Sequence, residues 1–475
     1  MRKSQLNIVR TPRPRSRRHV EPRFRGHKPG DPAEQPSTRT RRGGLAPPFA
    51  VSSLNHPSLR RFKPISLSRN DVKSSAGIWH GGPARILTAF GVSWLVHCQT
   101  SARTKQGNSL STDRIAAPTT SHHTNSHCTI AATATALPEY TITRDDVKYY
   151  MGRVFDIPER KLEAMMTIVD NAQVHKRHAI FPIEYTVEPR ALEKTNKEYI
   201  EHAIKLGREA AEKCLQRAGL RADEVDLIIT VSCTGFMIPS LDAHLINLMG
   251  FRSNVRRMPF TELGCAAGAM ALGRAADYLK AHPGGNVLII AVELPSLTFQ
   301  RKDISQANLI SSILFGDGAA AVLVSGNHAR GPKILVSETY TFPDSLGAMG
   351  FDLRDAGFHI LLAKDVPEMI GAKIRGLVDG FLERHGRKRD DIKGWILHPG
   401  GARLLGNVEI ELGLTKCQTQ PSWDILGNVG NLSSATILFI LQEWLEKRPL
   451  RPGDYALAAA FGPGFSAEFL LLQWT

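Results

Sequence analysis

The chain of 475 residues lacks any uninterrupted apolar run as long as the roughly 18 residues that a membrane-spanning helix needs. It has only six cysteines, with no CxxC pair and no Cys/His spacing typical of a zinc site. Few, unpatterned cysteines in a chain this long are typical of a reducing compartment, so the sequence predicts a cytoplasmic protein without a metal site. Hydrophobic residues make up 42% of the chain, which excludes a wholly disordered or collagen-like protein.

Acidic residues are scarce in the first 128 positions. That stretch contains 22 Lys and Arg but only 5 Asp and Glu, whereas Thr129–Thr475 contains 38 and 40. The net charge of +15 therefore comes from a basic N-terminal arm, and the remainder is close to neutral. The excess of positive charge would suggest a nucleic-acid partner for the whole chain, but its distribution argues against one for the remainder.

Residues 1–128 are not expected to form a packed domain, because Pro, Gly and Arg are frequent between Thr11 and Gly44. We interpret this arm as a translated upstream region from a misassigned start. The alternatives are a disordered basic extension and an organelle-targeting peptide, which the arm matches in composition only. No Met occurs between Met1 and Met151, which counts against the first interpretation. The apolar run Ile86–Val96 resembles a signal peptide in length but lies roughly 85 residues too deep for one.

From Thr129 the sequence alternates between strand and helix patterns. After an initial strand, helices are predicted over 144–155, 159–173 and 196–218, the last ending at Gly219. Apolar runs without polar alternation predict buried strands from Asp226 and over 287–292, 319–324, 395–397 and 456–461. Buried strands with helices between them indicate an α/β fold.

Three segments of this α/β part recur in the same order. The pairs are DEVDLIITVSCTG (from Asp223) with DDIKGWILHPGG (from Asp390), GCAAGAMALG (from Gly264) with GNLSSATILF (from Gly430), and FGDGAAAVLV (from Phe315) with FGPGFSAEFLLL (from Phe461). Three pairs in one order argue against chance. We therefore predict a duplicated fold with one half at 129–345, which carries Cys265, and another at 346–475, which carries His398 and Asn431.

Cys265 is the candidate nucleophile. It lies in TELGCAAGAMALG, where small residues precede an amphipathic helix. Unpaired N–H groups at a helix N-terminus stabilise a thiolate and can lower a thiol pKa from ~8.5 into a range of ~3.5–7.5. The alternative is a small buried hydrophobic residue, the commonest role of a lone cysteine. Cys214, Cys233 and Cys417 lie within a predicted helix, a strand end and a loop, and are weaker candidates.

His398 and Asn431 are the candidate partners of this thiol. His398 ends the predicted strand WILHPGG, and ligands of α/β proteins bind beyond the carboxyl ends of strands. Asn431 follows GNVG at the position that corresponds to Cys265 in the repeat. A hydrogen-bonded structural histidine and a helix N-cap are the alternatives. Together, a thiol, an imidazole and a carboxamide supply what acyl transfer and enolate stabilisation need, with no metal or bound organic cofactor.

The motifs FTELGCAAG, WILHPGG, GNVGNLSSA and AFGPGFSAE, in this order, resemble those of the type III polyketide synthases, the chalcone- and stilbene-synthase-like family. The resemblance runs from about Thr129 to the C-terminus. CTGFMIPSLDAH and DAGFHILLAKDVPE are more similar to bacterial alkylpyrone and alkylresorcinol synthases. The resemblance implies a thiolase-like fold with five αβαβα layers, a homodimer, and CoA thioesters as substrates.

The resemblance also implies roles in substrate binding and dimer contacts for residues other than Cys265, His398 and Asn431. Phe299 and Phe358 match the phenylalanines that gate the passage between CoA tunnel and cavity. Thr234 and the loop Gly462–Pro463–Gly464 match cavity-wall positions. Lys176 and Arg177 match cationic CoA contacts, with a solvated charge run as the alternative, and Ile238 matches a residue that reaches the partner's cavity. Ala266 replaces a larger residue of plant members, which leaves room for a long aliphatic starter.

The sequence therefore predicts an acyltransferase. Cys265 takes an acyl starter from acyl-CoA, and His398 and Asn431 bind the thioester oxygen during decarboxylation of malonyl-CoA. Repeated condensation and cyclisation then give a pyrone or resorcinol-type product. The alternatives are a single-round ketoacyl synthase III or hydroxymethylglutaryl-CoA synthase-like enzyme, and a protein that binds nucleic acid through its basic arm and has an inactive α/β part.

Overall fold

The computed structural model describes residues 128–448 and 450–475, so the predictions for the basic arm over residues 1–127 lie outside it. The strands of the described residues are β1 (Thr129–Ala136), β2 (Tyr140–Thr143), β3 (Lys176–Ala179), β4 (Leu227–Val231), β5 (Arg256–Phe260), β6 (Asn286–Glu293), β7 (Gly318–Ser325), β8 (Lys333–Thr341), β9 (Met349–Arg354), β10 (Gly357–Leu362), β11 (Ile392–Leu397), β12 (Tyr455–Gly462) and β13 (Ser466–Gln473). The α-helices are α1 (Arg144–Val154), α2 (Glu159–Asn171), α3 (Ile183–Thr186), α4 (Leu192–Ala218), α5 (Leu241–Met249), α6 (Ala267–Ala281), α7 (Gln306–Leu314), α8 (Val366–Arg384), α9 (Ala402–Leu412), α10 (Lys416–Val429) and α11 (Thr436–Lys447).

Nine strands form one sheet whose two halves repeat the same pattern. The order is β11-β12-β13-β8-β1-β7-β6-β4-β5, and the halves meet where β1 pairs with β8. Outward from this junction, β7 and β13 are the second strands, β6 and β12 the third, and β4 and β11 the fourth. The third strand of each half is antiparallel to the second and parallel to the fourth. The internal repeat therefore exists in the fold, and only the outermost strand β5 has no counterpart in the second half.

Three apolar clusters separate the five layers. One cluster packs α4 and α5 on the outer face of the first half-sheet, and another packs α8 and α9 on the outer face of the second. The central cluster places α6 and α11 between the two half-sheets. Alternate residues of β4 and β6 belong to the outer and central clusters, since both faces of these strands are buried. This is the predicted αβαβα arrangement; the division at 345/346 stays a prediction.

The central helix α6 and the turn before α11 lie unusually close. A Cβ atom on Gly268 would meet the carbonyl oxygen of Ser434 at 2.2 Å. Any larger side chain at this position would push the two segments apart. Glycine therefore brings the start of α6, which follows Cys265, against the turn Ser433–Ala435, which follows Asn431.

Two general properties of the described residues bear on function. None of their helices is both long enough and apolar enough to cross a membrane. Residues 128–448 and 450–475 also contain no cluster of His, Cys, Asp and Glu that could hold a metal ion.

Candidate functional site

Cys265 lies in the 3₁₀ turn Gly264–Ala266, directly before α6. Its side chain is 7% exposed, and Sγ donates a hydrogen bond to Ser433 Oγ at 3.5 Å. Burial raises the pKa of the thiol to about 12, although the bond to Ser433 acts in the opposite direction. Burial of the thiol therefore acts against the acidification that we predict from the helix N-terminus.

His398 follows β11, and its backbone N–H donates to Ala459 O at 2.9 Å. The ring is 2% exposed, and neither Nδ1 nor Nε2 has a hydrogen-bond partner among the described residues. Burial lowers the pKa of the imidazole to about 4. His398 is thus a neutral imidazole, and its one N–H remains available to an acceptor in the cavity.

Asn431 follows α10 and its carboxamide is held from both sides. Nδ2 donates to Gly400 O at 2.8 Å, and Oδ1 accepts from Ser433 N–H at 2.8 Å. The backbone of Asn431 pairs with Leu314 and Gly316. The bond to Gly400, two residues after His398, ties the histidine turn to the asparagine turn, and one N–H of Nδ2 remains for a ligand.

Ser433 connects the two halves at the thiol. Its backbone has φ 48°, a left-handed conformation that a non-glycine residue rarely adopts. In this conformation Oγ lies 3.5 Å from Sγ of both Cys265 and Cys233. Sequence reasoning missed Ser433, although the GNLSSA motif contains it; its strained position, typical of functional sites, is visible only in three dimensions.

A buried carboxyl group lies behind these side chains. Glu293, at the end of β6 and fully buried, accepts hydrogen bonds from Thr234 Oγ1 at 2.9 Å and Ser434 Oγ at 2.5 Å. It also accepts from Cys233 N–H at 3.1 Å. Burial raises the pKa of this carboxyl group. Glu293 was not predicted; it holds the Cys233–Thr234 segment against the turn that carries Ser433.

One cavity of about 770 Å³ collects most of the predicted site residues. The predicted residues that line it are Cys265, His398, Asn431, Thr234, Phe299, Phe358, Pro463 and Arg177. Much of the remaining lining is apolar and comes from α2, α7 and the hairpin β9–β10. Phe299 packs edge-on against Phe155, and Phe358 against Phe351.

The glycine-proline loop packs behind the nucleophile. A Cβ atom on Gly462 would lie 2.7 Å from both the backbone nitrogen and Cβ of Ala266. Pro463 lies beside Gly264 in the same way, since a Cβ there would be 2.6 Å from the proline ring. Gly462 and Gly464 are not among the cavity-lining residues, so this loop supports the turn of Cys265 with only Pro463 lining the cavity.

Of the two predicted cationic CoA contacts, one lies outside the cavity and the other is buried in its wall. Lys176 is exposed and does not line the cavity. Arg177 lines it but is buried, and its guanidinium donates to the carbonyl oxygens of Ile313 and Ser312 at the end of α7. Two exposed cations that were not predicted line the cavity instead: Lys364, and Arg403 in the first turn of α9.

The segment from Cys233 to Pro239 leads from the cavity to the surface. Phe236 lines the cavity and yet has 57% of its surface exposed. Ile238, two residues later, is 82% exposed. The predicted contact of Ile238 with a partner stays a prediction, but its exposure leaves it free to make one.

The combined arrangement is suited to thioester chemistry. A thiol, a neutral imidazole with both nitrogens unpaired and a carboxamide with a free N–H line one largely apolar cavity. A thiol can accept an acyl group, and the two N–H donors can stabilise an oxyanion.

Comparisons with known proteins agree with this chemistry. Residues 116–328 match the family model "Chalcone and stilbene synthases, N-terminal domain", and residues 333–474 match that of the C-terminal domain. The chain is 36% identical to a 1,3,6,8-tetrahydroxynaphthalene synthase of Streptomyces peucetius over 77% of its length and 99% of the relative's. It is 32% identical to a phloroglucinol synthase of Pseudomonas fluorescens over 71% and 97%. The crystal structure of the 1,3,6,8-tetrahydroxynaphthalene synthase of Streptomyces coelicolor, a bacterial type III polyketide synthase, superposes with a TM-score of 0.71 at 35% identity, covering 73% of this chain and 99% of that one.

Proposed function

Because the chain belongs to the chalcone and stilbene synthase family, the type III polyketide synthases, we propose that it condenses an acyl-CoA starter with several malonyl-CoA units and cyclises the product to a pyrone or a resorcinol. The observation that carries the proposal is the convergence of Cys265, His398 and Asn431, from two halves of the fold, on one cavity. Ser433 links Cys265 to Asn431 by hydrogen bonds, and Asn431 donates to the carbonyl oxygen of Gly400, two residues after His398.

The first step loads the starter. Burial keeps both the thiol of Cys265 and the imidazole of His398 neutral, so His398 takes the thiol proton as sulfur attacks the starter carbonyl. The new bond joins Sγ to the acyl carbon, the carbon–sulfur bond to CoA breaks, and the imidazolium returns its proton to the CoA thiolate. The enzyme is then acylated, and His398 is neutral again.

The second step extends the chain. The malonyl thioester oxygen accepts hydrogen bonds from His398 and from the free N–H of Asn431, which stabilise the negative charge as CO₂ leaves. The resulting enolate carbon attacks the acyl carbon on Cys265 and releases the thiolate. In the next round this thiolate attacks the thioester carbon of the lengthened chain, now on CoA, and the carbon–sulfur bond to CoA breaks with CoA leaving as its thiolate.

The cavity supports an iterative synthase. Its volume of about 770 Å³ and largely apolar wall suit a growing chain with few charged groups. Phe299 and Phe358 are proposed to gate the passage, and Thr234 and Pro463 to shape the wall, with Gly462 and Gly464 supporting the turn of Cys265. We assign the binding of CoA phosphates to Lys364 and Arg403, because both are exposed and line the cavity. Arg403 lies in the first turn of α9, and its ion pair with Glu368 at 2.5 Å opens when it binds a phosphate.

A second copy of the chain is the proposed partner. Phe236 lines the cavity and continues to the exposed Ile238, so a twofold contact over this segment would bury both side chains and close the cavity wall. All five cysteines of the described residues are free thiols, which supports a reducing, cytoplasmic location.

The two alternatives have less support. A single-round condensing enzyme shares the thiol, imidazole and carboxamide, but the relatives named above are polyketide-forming synthases. A nucleic-acid-binding protein with an inactive α/β part leaves the unpaired nitrogens of His398 without a purpose. Counting the malonyl units in the product separates an iterative from a single-round enzyme.

The decisive experiment uses Cys265→Ala protein, labelled malonyl-CoA and a panel of acyl-CoA starters of increasing length. We expect the wild type to release labelled polyketide and the variant to release none, because no other group accepts the starter. Cys417→Ala is the matched control, since Cys417 is exposed on α10, and should behave as wild type. Sustained polyketide formation by Cys265→Ala would contradict the proposal.

A further inference from the structure

Thr436, the first residue of α11, lies next to the candidate carboxamide and is fully buried. Its Oγ1 accepts a hydrogen bond from Leu432 N–H at 2.8 Å. Its own proton is donated to Asn431 Oδ1, with an oxygen–oxygen distance of 3.3 Å. The hydroxyl therefore closes the turn between Asn431 and α11 and contacts the oxygen of the carboxamide, whereas Gly400 contacts its nitrogen.

These contacts select one orientation of the carboxamide. Oδ1 receives two donors, Thr436 O–H and Ser433 N–H, while Nδ2 faces the carbonyl oxygen of Gly400. Rotating the amide by half a turn would place its NH₂ group against the N–H of Ser433. It would also place the amide oxygen against the carbonyl oxygen of Gly400. Both pairs are repulsive, so the rotated form loses the bonds to Ser433 and Gly400. The Thr436 hydroxyl could then only accept from the NH₂ group, and its own proton would lose its acceptor. The Thr436 hydroxyl adds to this preference without lining the cavity.

We propose that Thr436 is a positioning residue, whose hydroxyl keeps the second N–H of Asn431 aimed at the malonyl thioester. The inference rests on the proposed function, because it assigns Asn431 to the decarboxylation step. Loading of the starter uses Cys265 and His398 and does not need the orientation of Asn431. Loss of the hydroxyl should therefore slow decarboxylation selectively.

The test compares Thr436→Val, which keeps the shape and removes the hydroxyl, with Thr436→Ser, which keeps the hydroxyl. Two rates are measured separately on the full chain: acylation of Cys265 by an acyl-CoA in a single turnover, followed by mass spectrometry, and CO₂ release from malonyl-CoA alone. Ser325→Ala is the matched control, because the buried Ser325 also donates its hydroxyl proton to an asparagine oxygen, Asn286 Oδ1, at 2.7 Å, but neither residue lines the cavity.

We expect Thr436→Val to release CO₂ about three- to tenfold more slowly than wild type, because the substitution removes one buried hydrogen bond to Asn431. Its acylation rate should stay within about twofold, Thr436→Ser should regain most of the decarboxylation rate, and Ser325→Ala should change neither rate. Equal CO₂ release by Thr436→Val and wild type overturns the inference, and so does an equal loss of both rates. A wild-type protein that forms no acyl-enzyme overturns the proposed function, and the role of Thr436 with it.

Discussion

Ser434 places its carbonyl oxygen 2.2 Å from where a Cβ atom on Gly268 would be. This approach joins the helix that follows the thiol to the turn that follows the carboxamide. The two halves of the fold thus meet through backbone atoms of Gly268 and Ser434, with the Ile437 side chain beside them, close to the turns that carry Cys265 and Ser433.

Gly268→Ala should therefore damage both stability and activity. A Cβ this close to a backbone atom forces α6 and the Ser433–Ala435 turn apart. We expect the free energy of unfolding to fall by about 1–3 kcal/mol. Urea unfolding measures this loss, and single-turnover acylation of Cys265 should fall at least tenfold. Gly406→Ala is the control, since a Cβ in that part of α9 meets nothing within 4 Å. The control should be stabilised by about 0.5–1 kcal/mol, and an unaltered Gly268→Ala protein would contradict the prediction.

Lys364 and Arg403 should determine the affinity for CoA thioesters. Replacing both with Gln removes two positive charges from the cavity lining, and we expect KM for acyl-CoA to rise by roughly ten- to hundredfold with kcat little changed. Raising the salt concentration should weaken wild-type binding more than that of the variant. Arg375→Gln removes a similarly exposed cation on α8, paired with Glu411, and serves as the control. An unchanged KM in the double variant would contradict the assignment and show that other residues bind CoA.

Glu468 should make stability depend on pH. It is 3% exposed on β13, Oε2 accepts from Thr339 Oγ1 at 2.9 Å, and Oε1 has no partner among the described residues. Burial raises the pKa of its carboxyl group to about 7, above the ~4.3 of an unfolded glutamate. The carboxyl group of Glu468 therefore binds its proton more tightly in the folded state than in the unfolded state. Its contribution to the free energy of unfolding is fully present below pH ~4.3 and is lost as the pH rises through about 7.

Glu468→Gln should remove this dependence. Between pH 5 and 8 the variant should gain on the order of 1–3 kcal/mol of unfolding free energy relative to wild type, because glutamine has no charged form. Urea unfolding at several pH values gives the two curves. Glu411→Gln, on the exposed surface of α9, should leave the curve unchanged. Parallel curves for Glu468→Gln and wild type would show that the carboxylate is not penalised by burial.

Much of the architecture was predictable because its signals are local. The long helix α4 ends at Gly219 as predicted, and the buried strands β4, β6, β7 and β12 coincide with apolar runs. The internal repeat predicted corresponding positions for Cys265 and Asn431. The fold places both shortly before the central helices α6 and α11, but Cys265 lies within its 3₁₀ turn and Asn431 lies two residues before the turn Ser433–Ala435. The family and the αβαβα layers are confirmed.

The contacts within the site were less predictable because they depend on distant parts of the chain. Ser433 is separated from Cys265 by 168 positions, and its role depends on a left-handed backbone conformation. The charge run at Lys176 and Arg177 suggested a phosphate contact, but β3 turns Arg177 inward. Its guanidinium there satisfies two carbonyl oxygens at the end of α7. Arg403 is the second residue of α9 and a single cation in its stretch of sequence, so no charge run pointed to it.

The unpaired imidazole of His398 has a consequence for the lifetime of the protein. Two buried polar nitrogens with no partner among residues 128–448 and 450–475 cost folding free energy, and an apolar ring of similar size would remove this cost. The protein is thus least stable without a ligand. A bound thioester that hydrogen-bonds to the His398 ring raises the free energy of unfolding. Thermal stability and catalytic activity therefore make opposite demands on this side chain. Substitutions of His398 that stabilise the protein should reduce its activity.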